Sequence, residues 1–274
     1  MKKIFVSFLA VMAAGSMLAA VTPHYEIIAG YDHLDRFHYT TPATYYNRSD
    51  NSMDGFHVGA NVQLDFMEGK HVPSLIVGLN YQFLASNHYG YANGYWKAFK
   101  AQMEAMLLPE GVSNYKLSNL TTVHTFQIPI LAQYTYNIND NWKIMAFTGP
   151  MIRLHVSERN DAEQTFEYKG QKYGSKTMSD VISNKCKSTT WAAGEKSTTS
   201  GDLYESKDEC APVFDMAWNI GVGFGYKFVN FKLSYEVGMC NMNTKAAKDA
   251  AKAADGKDIL NDNVLALTLG FRLK

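Results

Sequence analysis

Apolar and polar residues alternate without a break from Phe56 to Phe66. Phe56, Val58, Ala60, Val62, Leu64 and Phe66 form one set, and His57, Gly59, Asn61, Gln63 and Asp65 the other. A β-strand puts two such sets on opposite faces, whereas a helix would scatter both around its circumference. The pattern recurs with apolar positions from Leu75 to Phe83, Phe126 to Tyr134, Trp142 to Leu154, Met216 to Tyr226, Phe231 to Met239 and Leu265 to Leu273. A weaker first segment sets Tyr25, Ile27, Ala29 and Tyr31 against Glu26, Ile28, Gly30 and Asp32. The spacing therefore predicts eight strands.

Their connections alternate in length. Short joins fall near Glu68 to Pro73, Asn137 to Asn141 and Lys227 to Asn230, and long ones over 34–54, 86–122, 157–213 and 241–262. Tight turns at one end and long loops at the other characterise transmembrane barrels, with the turns periplasmic and the loops extracellular. The expected fold is all-β: an eight-stranded antiparallel up-and-down transmembrane barrel.

The sidedness follows from volume. Eight rows of Phe, Trp, Leu and Ile would overfill an eight-stranded interior, which only just accommodates side chains. The small and polar row must point inward, and the bulky row outward into lipid. Aromatics support this. Phe66, Tyr134, Trp142, Tyr226, Phe231 and Phe271 fall at the short-turn end, and Phe56, Phe83, Phe126 and Trp218 at the long-loop end. Ten residues at about 3.4 Å each, tilted about 40°, span roughly 26 Å, close to the apolar band of such barrels. The two groups read as interfacial girdles, with Tyr81 and Tyr235 departing from them at mid-height.

The start of the chain reads as an address. Met1-Lys2-Lys3 precedes a mostly apolar run from Ile4 to Ala14, and Gly15 to Ala20 supplies small residues for cleavage. Residues 1–20 are expected to be a secretory signal peptide and 21–274 the barrel domain, exported to the cell outer membrane. No later stretch reaches the roughly 18 apolar residues of a spanning helix.

Composition narrows the classes. Lys plus Arg and Asp plus Glu each total 26 in 274 residues, which excludes a basic nucleic-acid binder and an acidic disordered tail. The 17 Tyr and 15 Phe also argue against disorder.

The sequence resembles the PorT-like outer-membrane β-barrel family of Bacteroidetes. Phe126-Gln127-Ile128-Pro129-Ile130-Leu131, Trp142 to Ala146 with Phe147-Thr148-Gly149-Pro150, Asn219 to Tyr226, and Leu267 to Lys274 carry the resemblance. It implies a barrel inserted by the outer-membrane assembly machinery, which would read the last strand. The chain ends beyond Phe271 rather than at an aromatic, a departure from the usual terminal signal.

Candidate chemistry lies in the inward row. Glu26, Asp65, Lys143, Lys232 and Arg272 collect near the short-turn end, with Arg153 and Glu236 higher up. Buried charges need partners, so an ion-pair network is expected, with Glu26–Arg272 across the closing strands the leading pair. His57 and His155 point inward, with His33 and His124 near them in depth. No close ligand spacing joins them, so hydrogen-bonded lumen groups are expected rather than a metal site. Gly221-Val222-Gly223-Phe224-Gly225 lacks the strand–turn–helix context of a phosphate loop. No cofactor is expected.

Cys186 and Cys210 share the third long connection and, in an exported chain, are expected to form a disulfide. Cys240 is left over, and its pairing with either stays open. Residues 158–212 hold 8 Lys plus Arg and 10 Asp plus Glu, a nearly neutral loop. Tyr95–Leu108 and Thr244–Ala254 have helical spacing.

The expected function is non-enzymatic: a structural or surface-interaction protein acting through its loops in envelope integrity, reception or adhesion. Its partners would be outer-membrane lipid, lipopolysaccharide and an extracellular ligand. The alternatives are a narrow porin-like conductance and a lipid-modifying acyltransferase using His57, His155, Ser157 or Asp215.

Overall fold

The computed structural model describes residues 21–41, 46–47, 52–86 and 112–273. Its strands, in chain order, are β1 (Thr22–Thr41), β2 (Tyr46–Asn47), β3 (Ser52–Asp65), β4 (His71–Ser86), β5 (Val112–Asn137) and β6 (Trp142–Tyr168). They continue as β7 (Gln171–Asp180), β8 (Lys185–Ala192), β9 (Glu195–Asp202), β10 (Phe214–Tyr226), β11 (Val229–Gly238) and β12 (Lys257–Arg272). Strands β1, β3, β4, β5, β6, β10, β11 and β12 each pair antiparallel with the next. The ring closes where β12 pairs with β1, from Glu26↔Arg272 to Thr41↔Lys257. This is the eight-stranded up-and-down barrel expected from the alternation.

Closure sets the stagger. The ladder row starting at Asp65 passes through Ser74, Gln133, Phe147, Gly221, Ser234, Ala266 and Asp32 and returns to β3 at Gly55, ten residues from its start. With strands about 4.8 Å apart and a rise of about 3.3 Å per residue, that shear corresponds to a tilt of roughly 40° and a backbone diameter of about 16 Å.

The faces are inside-out relative to a water-soluble protein. Along β10, Trp218, Ile220, Val222 and Phe224 are 46–58% exposed, while Asn219 between them is 3% exposed. Across the wall, Arg153, Asp32, Asp215 and Asp262 are at most 1% exposed. A contiguous belt of exposed Leu, Ile, Val and Phe on a closed sheet, whose backbone groups pair internally, suits lipid and not water. No helix among the described residues is long and apolar enough to cross a membrane. Of the expected girdle aromatics, Phe56, Phe66, Phe126, Tyr134, Trp142, Trp218, Tyr226, Phe231 and Phe271 are all exposed. Phe83 differs. It is only half-exposed, because its ring packs on Phe56 and His124.

The short turns brace one another. Asn139 Oδ1 accepts the N–H groups of Asn141 and Trp142, both at 2.9 Å, and the Lys227 N–H donates to Asn141 O at 2.7 Å. Lys227 takes φ 52°, the left-handed conformation its two-residue turn demands.

The long connections are shorter than the alternation implied, because the strands run on past the belt. β5 and β6 reach 26 and 27 residues, well over the ten that cross the apolar band. The third connection is not the expected loop. It is a polar sheet continuing β5 and β6 through β7, β8 and β9. Of its three hairpins, the one joining β7 to β8 turns over 181–184, and the other two turn at Lys169-Gly170 and Ala193-Gly194, where both residues of each pair have positive φ. That geometry matches the twist of the flanking strands. Alternation in 157–202 is obscured because both faces of this sheet are solvated. The fourth connection holds helix α1 (Lys245–Ala253), close to the expected Thr244–Ala254. Thr244 caps it by accepting the Ala247 N–H at 3.2 Å. The expected helix at Tyr95–Leu108 and the leader at 1–20 lie outside the described residues.

Candidate functional site: a layered lumen beneath a projecting sheet

The inward row builds the lumen in layers, each set by where a strand places its next polar or apolar residue. Uppermost, the Arg36 guanidinium spans from β1 to two walls. Nε and Nη2 donate to Asp262 at 2.8 and 3.0 Å, and Nη1 donates to Glu158 Oε1 at 2.6 Å. Below it Leu34, Met53, Leu84, Val123 and Val264, each at most 3% exposed, form a dry apolar layer.

The next layer is polar. The Asp32 carboxylate takes His57 Nδ1 at 2.8 Å and Gln82 Nε2 at 2.7 Å, and His57 Nε2 lies 3.1 Å from Thr268 Oγ1. On the β6–β11 side Arg153 contacts Asp215 at 2.6 Å and Glu236 at 3.7 Å, and donates to Asp262 O at 2.9 Å. Beneath this layer lies a cavity of about 50 Å³. A second apolar cluster, Ile76, Leu131 and Phe147, follows.

At the short-turn end Glu26 accepts from Lys232 Nζ and Asn230 Nδ2, both at 2.5 Å. Asp65 accepts from Gln63 at 2.6 Å and Ser74 at 2.7 Å, and lies 3.1 Å from His24.

Glycines make room for these groups. A Cβ on Gly30 would lie 2.3 Å from the His57 ring, one on Gly221 2.3 Å from the Phe147 ring, and one on Gly270 2.3 Å from the Glu26 carboxylate. The His57, Phe147 and Glu26 side chains thus each lie over a glycine on the neighbouring strand.

All seven charges singled out from the sequence sit on the inward face. Glu26, Asp65, Lys143, Arg153, Lys232 and Glu236 are buried, and Arg272 is half-buried. The leading pair is corrected. Glu26 and Arg272 are partners in the closing ladder, but the Glu26 side chain crosses Gly270 toward Asn230, the residue paired with Gly270, and meets Lys232 two positions on. Strand tilt aims the side chain at the next strand rather than its direct partner. The expected disulfide is also corrected, since Cys186, Cys210 and Cys240 are free thiols. Cys186 is held in the β7–β8–β9 ladder, paired with Ser179 and Gly201, while Cys210 closes a 3-10 turn at Lys207–Glu209.

The four histidines divide across the wall. His57 and His155 are buried inside, whereas His33 lies beside Asp54 on the exposed surface and His124 lies 2.5 Å from the Tyr81 hydroxyl, against the outward ring of Phe83. Among the described residues no three His, Cys, Asp or Glu side chains converge on a metal position. The groups considered for acyl transfer are equally dispersed. His57 is engaged with Asp32, His155 lies 3.1 Å from Thr125, Ser157 donates to Asp180 at 2.7 Å, and Asp215 lies on Arg153.

Arg36, Glu158 and Asp262 were missed. All three fall in stretches read as loops, although the inward series Asp32, Leu34, Arg36 continues the strand period. The 3-10 turn that follows the projecting sheet meets α1 of the fourth connection, where Lys245 Nζ contacts Asp208 Oδ2 at 2.8 Å.

No protein-family model matches the chain, and no curated protein matches it. Solved structures similar to it include Ail, the attachment invasion locus protein of Yersinia pestis. That match is at 11% identity and TM-score 0.32, covering 91% of this chain and 98% of that one. Neisserial surface protein A is similar at 9% identity and TM-score 0.35, over 91% and 97% of the two chains. The toluene transporter TbuX of Ralstonia pickettii follows at 9% identity and TM-score 0.21, over 92% and 90%.

Proposed function

We propose that this chain is a non-enzymatic surface protein of the bacterial outer membrane, acting through the sheet that projects from its barrel. On this reading residues 1–20 direct export, the assembly machinery inserts the barrel, and its belt contacts lipid and lipopolysaccharide. The short turns face the periplasm and β7–β9 face outward. The strand motifs that resemble the PorT-like family are consistent with this placement.

The observation that carries the reading is the contrast between lumen and sheet. Two apolar clusters and a bridging arginine fill the lumen, and a hydrated ion entering a dry apolar layer loses its water without replacement. The accessible polar surface lies instead on β7, β8 and β9, where every residue of Glu195–Asp202 is exposed. Binding groups on a rigid scaffold concentrate in such projections.

The test is adhesion. Cells displaying the protein should bind members of an array of glycans and extracellular-matrix proteins. Replacing residues 171–202 with a two-residue turn should abolish binding while the barrel still assembles. Binding unaffected by that deletion, or none above a vector control, would refute the reading. Stable large conductance steps in planar bilayers would favour the porin-like alternative instead.

A further inference from the structure

The projecting sheet ends in an unpaired edge. Among the described residues β9 pairs only with β8, so the path β6–β7–β8–β9 stops there. Alternate residues of an antiparallel ladder turn their N–H and C=O groups away from the partner strand. Along Glu195–Asp202 those groups meet no further strand among the described residues, and every residue is exposed. Free edges are ordinarily guarded by proline, by a bulge or by a charge set in mid-strand. β9 has none of these. Its ladder with β8 runs from Glu195 to Asp202 without a register shift. Its charges lie at the ends, Glu195 and Lys196 at one and Asp202 at the other, with only Ser197, Thr198, Thr199, Ser200 and Gly201 between.

Such an edge accepts a further strand through its main chain, and side-chain pairing selects which one. The strand that β9 itself offers is complementary to it. Two copies can pair antiparallel about a two-fold axis normal to the sheet, an isologous contact that closes on itself. That axis keeps each face on its own side, so one residue stands opposite its own copy and the others follow in same-face pairs. Among the registers centred from Ser197 to Gly201, only the one centred on Thr199 opposes charges. It sets Lys196 against Asp202 of the second copy at both ends, Ser197 against Gly201 and Thr198 against Ser200. Opposite charges and paired hydroxyl residues directly across a ladder both favour pairing.

The charge order continues across the seam. Within one copy Lys185 Nζ on β8 contacts Asp202 Oδ1 at 2.7 Å. Lys196 of the second copy would approach Asp202 from the other flank, so each carboxylate would lie between two ammonium groups and no like charges would be opposed.

We propose that β9 is a self-association edge, pairing antiparallel with β9 of a second copy of this chain in the register centred on Thr199. The proposal rests on the reading of β7–β9 as a sheet that projects clear of the membrane. A single strand-to-strand seam falls below the roughly 1,200 Å² of stable interfaces, so the association is weak and reversible.

The test uses the full chain with its native cysteines replaced, folded in detergent, where separate micelles leave any mutual orientation open. Single cysteines are placed at each position from 197 to 201 and oxidised with copper phenanthroline. Directly opposed Cα atoms lie about 4.5–5.5 Å apart, within disulfide reach, whereas position 197 and its copy are offset along the strands by about 13 Å. Disulfide-linked dimer should peak at Thr199→Cys and fall on both sides, by at least about tenfold at Ser197→Cys and Gly201→Cys. A mixture of the Ser197→Cys and Gly201→Cys chains should link where neither links alone. Lys196→Glu sets a carboxylate against Asp202 and should lower the Thr199→Cys yield about tenfold. Equal yields along the scan, a peak at another position, or no dimer in any variant overturns the proposal while leaving glycan and matrix binding untouched. Protection of every one of these cysteines from a membrane-impermeant maleimide on intact cells would instead overturn the reading of the sheet, and the proposal with it.

Discussion

Removing Lys232 should damage this barrel far more than removing Arg272, although Arg272 is the cation opposite Glu26 in the closing ladder. Glu26 and Lys232 side chains are 6% and 8% exposed and meet at 2.5 Å. At an effective dielectric near 20 their attraction is of the order of 5 kcal/mol, offset in large part by desolvation of both charges. Lys232→Met leaves the carboxylate buried with the Asn230 amide as its hydrogen-bond donor and only the more distant Lys143 as a cation, and should cost about 3–5 kcal/mol. The double variant Glu26→Gln/Lys232→Met removes both charges and should recover most of that loss, to within about 1–2 kcal/mol of the parent. Arg272→Met, which removes a half-buried cation outside the pair, should cost less than about 1 kcal/mol. Reversible urea unfolding in lipid vesicles, followed by tryptophan fluorescence, measures all four proteins. The reasoning is refuted if the two single losses simply add, or if Arg272→Met matches Lys232→Met.

Other outcomes follow from particular contacts. Gly221→Leu drives a side chain into the Phe147 ring and should lower stability by about 1–3 kcal/mol, and an unchanged urea midpoint would contradict that packing. Maleimide labelling of the unfolded, unreduced protein should modify three thiols, and one modified thiol per chain would restore the disulfide. Burial acts to raise the Asp180 carboxyl above its ordinary value of 3.8, but hydrogen bonds from Ser157 and from the Ser183 and Ile182 N–H groups outweigh it and hold the group lower. Its contribution to anchoring the projecting sheet is therefore full above pH 3.8 and lost as pH falls through the lower folded value. Protection of the 181–184 amides, taken relative to their intrinsic exchange rate at each pH, should fall on acidification, and Asp180→Asn should show that lower protection already at neutral pH. A profile identical in the two proteins would remove Asp180 from this role.

The barrel was legible because lipid and lumen enforce a two-residue period: Phe56 to Phe66 could only be a strand with opposed faces. The turns were legible because they are short. Legibility failed where that enforcement stops. Beyond the belt, 157–202 has solvent on both faces, so Thr, Ser and Lys fill both and the strands β7–β9 leave no alternation. Arg36, Glu158 and Asp262 were lost for a related reason: Glu158 and Asp262 lie past the outward apolar residues Val156 and Leu265, and His33 and Asp35 interrupt the outward row of β1 before Phe37. Side-chain partners were lost because tilt and glycine spacing redirect them. Only the register shows that Glu26 lies over Gly270 and reaches Lys232. The cavity had no sequence signature, because Asn61, Asn80 and Asn219 are ordinary members of the polar row until closure brings their strands around one space.

The inside-out wall is tested most directly by a nitroxide scan of β11 from Phe231 to Val237. Single cysteines would be introduced in a background lacking the native three, with the barrel folded in lipid bilayers. Collision with oxygen dissolved in the acyl chains should be high at 231, 233, 235 and 237 and low at 232, 234 and 236, a clean two-residue period. The reverse phase, or no period, would contradict the account.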